Sequence, residues 1–581
     1  MSIINNGLSY WQANTEDIEL LDHTIGDFLD LRATEIPDQE AIVYSCYPEL
    51  GDTFNIRWTY EEYRDQANKV AKGLMALGLQ KGDHMAVWAS NIPEWLLLEM
   101  AAAKVGLVLV AINPLLQEAE VEYILRQGDV QALFFMANVR TYNHLTTVRS
   151  LVTPKATHGE AMSERLPMLR YVSLMGTPPI DLDEQTDWRP TLLHEVVVAG
   201  TGIGDAALTE RQATVMPLDP AMIVYTSGTT GHPKGAILTH HGILNDGLLM
   251  AQRWGVEQAD RYCIPMPFFH VGGCILGIMV ALAAGCVLHP LVTFDRTKFL
   301  QIISHEHCTI SAGVPTMFLA ALQHPALDQY DLSAFKQTIC GGAPVPVALM
   351  EQIHTRMGAN PSIIYAQTES SCTITQTHPD DPFELRASTC GVPLPHVEVK
   401  IVDPVTRETV PCGAHGEICT RGYLVMTGYY KLPERTAESI NSDGWLYTGD
   451  LATMDASGHV NIVGRIKDMV IRGGENLFPA EIEEFLIRHP KVAEVQVVGV
   501  PDAFFGEELL AVIRCRDGER LTEQELRDYC TGTISHQKIP RYFQFVNAYP
   551  LTTSGKVKKF VLREKAIRDL GLEEVAKTKN A

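Results

Sequence analysis

Basic side chains are in short supply: 47 Lys and Arg stand against 70 Asp and Glu, for a formal net charge of −23. That deficit argues against a broad nucleic-acid surface and leaves room for a local basic pocket around an anionic ligand. Cysteine pairing is also missing, because none of the 12 Cys forms a Cys-x-x-Cys pair. Neither a structural metal site nor a disulfide framework is therefore expected, and a reducing cytoplasm fits best. The opening "MSIINNGLSYWQANTEDIELLD" lacks the basic-then-apolar order of a signal peptide and the Arg-rich, acid-poor character of a transit peptide. The closing "KTKNA" is no recognised address. From Ile264 to Phe294 charge is absent altogether, a run long enough to suggest a membrane span. Pro265, Pro267, Gly272, Gly273, Gly277, Gly285 and Pro290 break that run into turns and a short helix, so it reads as buried core rather than a span.

What is present describes a large soluble α/β protein. A chain of 581 residues exceeds one compact core, so two or more domains are expected. "TYEEYRDQANKVAKGLMALG" carries apolar residues at helical spacing and ends at Gly78, and "HMAVWA" then reads as a strand. Short apolar strands running straight into Gly, Pro or Thr return at "AMIVYT", "TISAGVP", "QTICGGAP" and "SIIYAQTE". Helices between such strands predict parallel sheets, whose ligands bind at the carboxyl ends of the strands. Residues 152–215 are polar and Pro-bearing and read as a surface excursion. A boundary near 464–479 precedes a small α/β unit. In it a helix over 479–489 places Ile482, Phe485, Leu486 and His489 on one face, "VAEVQVVGV" and "LLAVIRC" read as strands, and "TEQE" at 522–525 opens a helix with a capping-box pattern.

The stretch "YTSGTTGHPKG", residues 225–235, packs hydroxyls and glycines into a segment with little bulk, directly after a strand. Small residues let backbone N–H groups wrap an anion, Thr226, Ser227, Thr229 and Thr230 add donors, and Lys234 adds charge. It is not a Walker loop, because Gly235 follows the Lys.

This stretch closely resembles the phosphate loop of the adenylate-forming superfamily of acyl-CoA synthetases, peptide-synthetase adenylation domains and luciferases. "FFHVGG" (268–273), "CGGAPVP" (340–346), "YAQTE" (365–369), "GEICTRGYLVMTGYY" (416–430), "GWLYTGD" (444–450), "GRIKDMVIRGGENLFPAEIE" (464–483) and "PLTTSGKVKK" (550–559) resemble further elements of that family. The likeness runs from about residue 25 to 570. "GRIKDMVIRGGENLFPAEIEEF" and "HPKVAEVQVVGVPD" are similar to the medium-chain group called acyl-CoA synthetase family member 2.

The resemblance implies a large N-terminal AMP- and acyl-binding domain of layered sheets and helices over 1–464, and a small mobile α/β domain over 465–581 that carries the catalytic lysine. It implies coupling of a carboxylate to ATP, giving acyl-AMP and pyrophosphate, followed by displacement of AMP by the thiol of coenzyme A. Lys556 matches the adenylation lysine, Glu369 the Mg²⁺ ligand and Thr368 an α-phosphate contact. Lys234 and the loop Thr226, Ser227, Gly228, Thr229, Thr230 and Gly231 match the phosphate site. Gly342, Ala343 and Pro344 on one side, and Tyr365, Ala366 and Gln367 on the other, match the adenine site. Asp450 and Arg465 match the ribose contacts, Lys467 the hinge, and Gly473 and Gly474 the pantetheine tunnel.

His270, Val271, Cys274, Val314 and Ala366 are expected to wall the acyl pocket. Ala366 stands where acetyl-specific relatives carry a closing Trp, so acetate is not the expected acid. No Asp stands between Ile264 and Phe294 to pair a substrate ammonium, which counts against amino-acid activation. Ala366 with Gln367, where Gly and Thr or Met are more usual, and the excursion at 152–215 depart from the family pattern. Bacterial relatives act on branched terpenoid or steroid side-chain acids, so the shape of the acid stays open, as does a carrier protein in place of coenzyme A. The expected partners are a carboxylic acid, ATP, Mg²⁺ and coenzyme A, with no nucleic acid and no transmembrane segment. A homodimer is compatible with the sequence, which does not specify the oligomeric state.

Overall fold

A computed structural model describes residues 7–13, 15, 18–50, 54–154, 161–176, 189–226, 233–473, 475–551 and 557–577. The chain divides into two compact units, one comprising Trp11–Val399 with Thr420–Leu446 and the other Lys400–Cys419 with Tyr447–Ala581.

The first unit is built on two large sheets. One has eight strands in the spatial order Thr191–Leu192, Tyr171–Met175, Val130–Met136, His84–Trp88, Val108–Ile112, Pro220–Thr226, Lys234–Thr239 and Gly428–Tyr429. Its strands are parallel as far as Pro220–Thr226 and antiparallel beyond. The central strands HMAVW and VLVAI are buried at every position, as continuous apolar runs require when helices cover both faces. The other sheet has nine strands, in the order Val392–Pro393, Thr373–Gln376, Asn360–Ala366, Gln337–Gly341, Ile310–Gly313, Arg261–Ile264, Val287–Pro290, Glu40–Val43 and Arg57–Thr59. Its interior is parallel and both margins are antiparallel.

The expected first helix forms over Tyr60–Ala76. Thr59 and Glu62 close a reciprocal capping box at its start, and Gly78 takes a φ of +76° beyond its end. Tyr63, Ala67, Val70, Ala71 and Leu74 form its buried stripe. The charge-free run over 264–294 is core: short helical turns over Val271–Ala284 lead through Gly285 at φ +71° into the buried strand Val287–Pro290. Gly273 is required there, because a Cβ would lie 2.2 Å from the Pro267 carbonyl oxygen. Among the described residues no helix is long and apolar enough to cross a membrane.

Residues 152–215 are not wholly the surface excursion that their composition suggests. Tyr171–Met175 joins the eight-stranded sheet parallel to Val130–Met136, burying Val172 and Leu174. Helices Leu193–Ala199 and Asp205–Gln212 follow. The first of these lies so close to Tyr60–Ala76 that a Cβ on Gly73 would sit 2.6 Å from the Val196 carbonyl oxygen. A five-residue strand carries too little periodicity to stand out from polar surroundings, and its stability comes from the sheet it joins.

In the second unit, residues 447–454 pair antiparallel with Val460–Arg465. A separate small sheet runs Glu475–Leu477, Val470–Arg472, Gly506–Cys515, Val492–Asp502, with Tyr542–Phe545 parallel to Gly506–Cys515. Alternation along its long strands feeds two cores. Val495, Val497, Leu509 and Ala511 pack with Ile482 and Leu486 of helix Pro479–Leu486 and Leu526 of helix Glu523–Cys530. Val498, Val500, Leu510 and Val512 pack with Leu562 and Ala566 of helix Lys559–Asp569. The capping box expected at 522–525 is formed by Thr522 and Glu525.

Candidate active site

The hydroxyl-rich stretch joins two hydrogen-bonded strands. Thr226, the last residue of one, pairs directly with Lys234, the first of the other, so the two strand ends that flank residues 227–233 stand side by side. Ser227, Gly228, Thr229, Thr230 and Gly231 lie outside the described residues. At that point four side chains converge. The Thr226 hydroxyl is 3.5 Å from Oε1 of Glu369, and the Tyr429 hydroxyl donates to the same oxygen at 2.8 Å. The Lys234 ammonium sits 3.9 Å from the centre of the Tyr429 ring, a cation–π contact. Burial, with Glu369 beside it, holds the Tyr429 phenol protonated far above its ordinary range. Tyr429 therefore acts as a neutral donor to a carboxylate, the charge-assisted kind of hydrogen bond.

Glu369 arrives from the other large sheet. Strand Asn360–Ala366 ends in the turn Thr368–Ser370, and the chain returns antiparallel as Thr373–Gln376. The Met426 N–H donates to the Glu369 carbonyl at 2.9 Å, tying this turn to the segment that presents Tyr429. The return is braced by Asp246 of helix His240–Trp254, whose carboxyl accepts from the Thr373 N–H at 2.8 Å and the Tyr423 hydroxyl at 3.1 Å. Complete burial raises the Asp246 pKa to about 8 in spite of those donors. Ser371, at φ +56°, anchors its hydroxyl on the Leu424 carbonyl at 2.8 Å.

Gly341 pairs with Ile364 across neighbouring parallel strands, so the chain segments that leave their carboxyl ends run side by side. Gly342, at φ +76°, Ala343 and Pro344 are exposed on one segment. Tyr365 is buried, Ala366 and Gln367 are half-buried, and Thr368 is buried on the other. Both segments stand outside the carboxyl ends of parallel strands, the place where open α/β sheets bind ligands.

The residues expected to wall an acyl pocket follow strands of the same sheet. His270 caps the turn Val271–Gly273, its Nδ1 accepting from the Gly272 N–H at 3.1 Å. Val271 and Cys274 are buried, and burial pushes the Cys274 thiol well above its usual range, so it stays protonated. Cys274 opens one turn of π-helix, Cys274–Met279. Val314 is buried between strand Ile310–Gly313 and helix Pro315–Leu322.

In the second unit, Asp450 and Arg465 pair across the strands 447–454 and 460–465, with Nε to Oδ1 at 3.1 Å. The stretch of strand just before Asp450 is held by Glu417, which accepts the Gly449 N–H at 2.9 Å, and by the Thr448 hydroxyl on the Ile418 carbonyl at 2.7 Å. Lys467 is exposed in the turn Ile466–Asp468 that follows. Gly473 has φ +60°, and its N–H donates to the Phe505 carbonyl at 2.8 Å. A Cβ there would come within 3.0 Å of the Phe505 ring. Gly474 and Lys556 lie outside the described residues.

Sequence reasoning passed over Tyr429 and Asp246. Tyr429 stands inside a quoted motif, yet its partners lie 60 and 195 residues away, and a Tyr after Gly reads only as a strand residue. Asp246 sits mid-helix, where a charged side chain is expected to face water. Its neighbours Ile243, Leu244, Gly247, Leu249 and Met250, all buried, were the available signal.

The comparisons agree across nearly the whole chain. A family model described as AMP-binding enzyme matches residues 29–430, and one described as AMP-binding enzyme C-terminal domain matches 481–556. A provisionally named acyl-CoA synthetase of Bacillus subtilis strain 168, YngI, is 46% identical over 557 residues, covering 95% of this chain and 99% of that protein. The mitochondrial medium-chain acyl-CoA ligase ACSF2 of Mus musculus is 39% identical over 576 residues, covering 97% of this chain and 91% of that protein. The crystal structure of the anthranilate CoA ligase AuaEII in complex with anthranoyl-AMP superposes with a TM-score of 0.81 at 26% identity, covering 95% of this chain and 99% of that one.

Proposed function

We propose a function from one premise: the chain belongs to the AMP-binding enzyme family and is an AMP-forming carboxylate–CoA ligase. On our reading its acid is medium-chain or otherwise bulky and hydrophobic. The carboxylate oxygen attacks the α-phosphorus of ATP and pyrophosphate leaves; the coenzyme A thiol then attacks the acyl carbon and AMP leaves. The observation that carries the assignment of residues is the meeting of Thr226, Lys234, Glu369 and Tyr429 where the two strands flanking residues 227–233 are joined. Two anions must be brought together in the first step, so fixed positive charge and oriented donors are the main requirement.

In this reading Lys234 and the loop after Thr226 hold the β- and γ-phosphates, and Thr368 contacts the α-phosphate. Gly342, Ala343 and Pro344 flank the adenine opposite Tyr365, Ala366 and Gln367. Asp450 accepts from the ribose hydroxyls beside Arg465. A divalent cation is part of the proposal: the Glu369 carboxylate and Thr226 hydroxyl form an all-oxygen donor set, which suits Mg²⁺ completed by phosphate oxygens and water. When bound there, such a cation would offset the negative charge of the triphosphate. Lys556 stabilises the charge that develops at the α-phosphate. Turning about Lys467, in the 465–581 segment, exchanges Lys556 for the Gly473–Gly474 region between the two half-reactions. Val271, Cys274 and Val314 are buried and apolar, and with small Ala366 they are the walls we assign to the acid's chain. All 12 cysteines are free thiols, the state kept in a reducing compartment, and we place the protein in the cytoplasm.

The test is pyrophosphate release with ATP, Mg²⁺ and coenzyme A across straight-chain, branched, aromatic and steroidal acids, with the acyl-CoA product confirmed by mass. A maximum on mid-length chains supports the fatty-acid reading, and one on branched or fused-ring acids moves the substrate class to terpenoid or steroid acids. Pyrophosphate without acyl-CoA would point to a carrier-protein acceptor. Lys556→Ala should abolish acid-dependent pyrophosphate release, and retention of that activity would overturn its assignment.

A further inference from the structure

We propose that Tyr123 and Gln127, one turn apart on helix Glu118–Gln127, are positioning residues that clamp the two strand ends flanking residues 227–232 and thereby set the affinity for the nucleotide's phosphates. The inference rests on the functional reading above. A spacing of four puts both side chains on one helix face. From that face Gln127 reaches the chain before the loop and Tyr123 the chain after it. The Tyr225 hydroxyl donates to the Gln127 amide oxygen, one residue ahead of Thr226. The Tyr123 hydroxyl donates to the Pro233 carbonyl at 3.3 Å, one residue ahead of Lys234.

Gln127 also couples the two strands to each other. Its amide nitrogen donates to the Tyr430 carbonyl at 2.7 Å, and the Tyr430 N–H donates to the Gly235 carbonyl at 2.8 Å. Gly235 is the register partner of Tyr225, whose ring packs so closely that a Cβ on Gly235 would lie 3.1 Å from it. Tyr430 is next in the chain to Tyr429, so the same brace supports the ring beneath Lys234. An amide is the group this position needs, because it must accept from a phenol and donate to a carbonyl at once. A carboxylate would set an oxygen against the Tyr430 carbonyl.

The helix that bears the clamp is itself held at its end. The His84 ring nitrogen Nδ1 is 2.6 Å from the Gly128 carbonyl oxygen, and Asp129 accepts from the Tyr430 hydroxyl at 2.8 Å and from Lys431 at 2.5 Å. Val121, Ile124 and Leu125 anchor the opposite side in the core. Loosening the clamp should therefore act on the loop's ends rather than on the sheet. Pre-set donors cost less to order when an anion binds, and their loss appears as weaker nucleotide binding.

The experiment uses full-length wild type, Tyr123→Phe, Gln127→Met and Gln127→Glu. It measures Mg²⁺·ATP binding by calorimetry, KM for ATP and for the acid, and the rate of acyl-CoA formation from synthetic acyl-AMP, which needs no triphosphate. Tyr123→Phe removes one oxygen only and keeps the packing. Each variant should weaken ATP binding and raise its KM by roughly five- to tenfold, with Gln127→Glu the most affected. KM for the acid and the rate from acyl-AMP should stay within about twofold of wild type. ATP constants that do not move would overturn the clamp, and so would a parallel fall in ATP binding and in the rate from acyl-AMP. Failure of the wild type itself to bind ATP would overturn the functional reading and the clamp with it, a result distinct from either.

Discussion

Replacing Asp246 with Asn should remove a pH dependence of stability that the wild type carries. Asp246 is fully buried and its carboxyl holds its proton to about pH 8, because burial outweighs the donors Thr373 N–H and Tyr423 O–H. The other titratable groups around it are the buried phenol of Tyr423 and the Cys372 thiol, both pushed upward by burial. Arg253, on the same helix, spends its guanidinium on the carbonyls of Gln376, Val392 and Pro393. The unfolded chain releases the Asp246 proton near 3.8, so the folded state has the raised pKa. Its contribution is then complete below about pH 4 and is lost progressively as pH rises to about 8. At about 1.4 kcal/mol per pH unit, roughly 3 kcal/mol goes between pH 5 and 7. Asn carries no titrating proton. Its amide oxygen can still accept from the Thr373 N–H, while its amide nitrogen only donates and turns the Tyr423 hydroxyl from donor to acceptor, a pH-independent cost of about 1 kcal/mol. The variant should lie within about 1 kcal/mol of the wild type at pH 5 and exceed it by about 3 kcal/mol at pH 7. Urea unfolding at pH 5, 6, 7 and 8 at fixed ionic strength, followed by tryptophan fluorescence, to which the buried Trp254 at the end of the same helix contributes, reads the difference. A difference constant across that range would refute the assignment of a buried, proton-bearing acid.

Tyr429→Phe deletes the hydroxyl that meets Glu369 at 2.8 Å and keeps the ring beneath Lys234. Loss of one hydrogen bond to a charged group should lower kcat/KM for adenylation about tenfold or more while thioester formation from acyl-AMP is spared, and unchanged pyrophosphate release would show that the contact is idle. Asp450→Ala should weaken ATP binding by about tenfold or more and leave the enzyme unable to tell ATP from its 2′-deoxy analogue; a variant that discriminates as the wild type does would remove Asp450 from the ribose contacts. Gly391→Ala places a side chain at φ +73° with its Cβ 2.1 Å from the Gln376 carbonyl carbon. Destabilisation by more than about 3 kcal/mol is expected, and a denaturation midpoint close to wild type would contradict it.

The amino-acid sequence by itself determined the local elements and the chemistry of the loop. Thr59 with Glu62 and Thr522 with Glu525 start helices because a capping box needs only residues three apart. HMAVW and VLVAI form buried parallel strands because apolar runs of that length have few other places to go. The charge-free run over 264–294 resolves into core because Gly and Pro interrupt it locally. Only the tertiary structure decided what meets what. Tyr171–Met175 is a strand because the edge beside Val130–Met136 offers it backbone partners, which a five-residue pattern cannot announce. Asp246 is neutral because a helix face packs against a turn 127 residues further on, and Gln127 is a clamp because Tyr430 lies 303 residues away in the chain. Capping, turns and periodicity are settled within a few residues, whereas burial, a shifted pKa and a shared hydrogen bond exist only once distant segments have closed around one another.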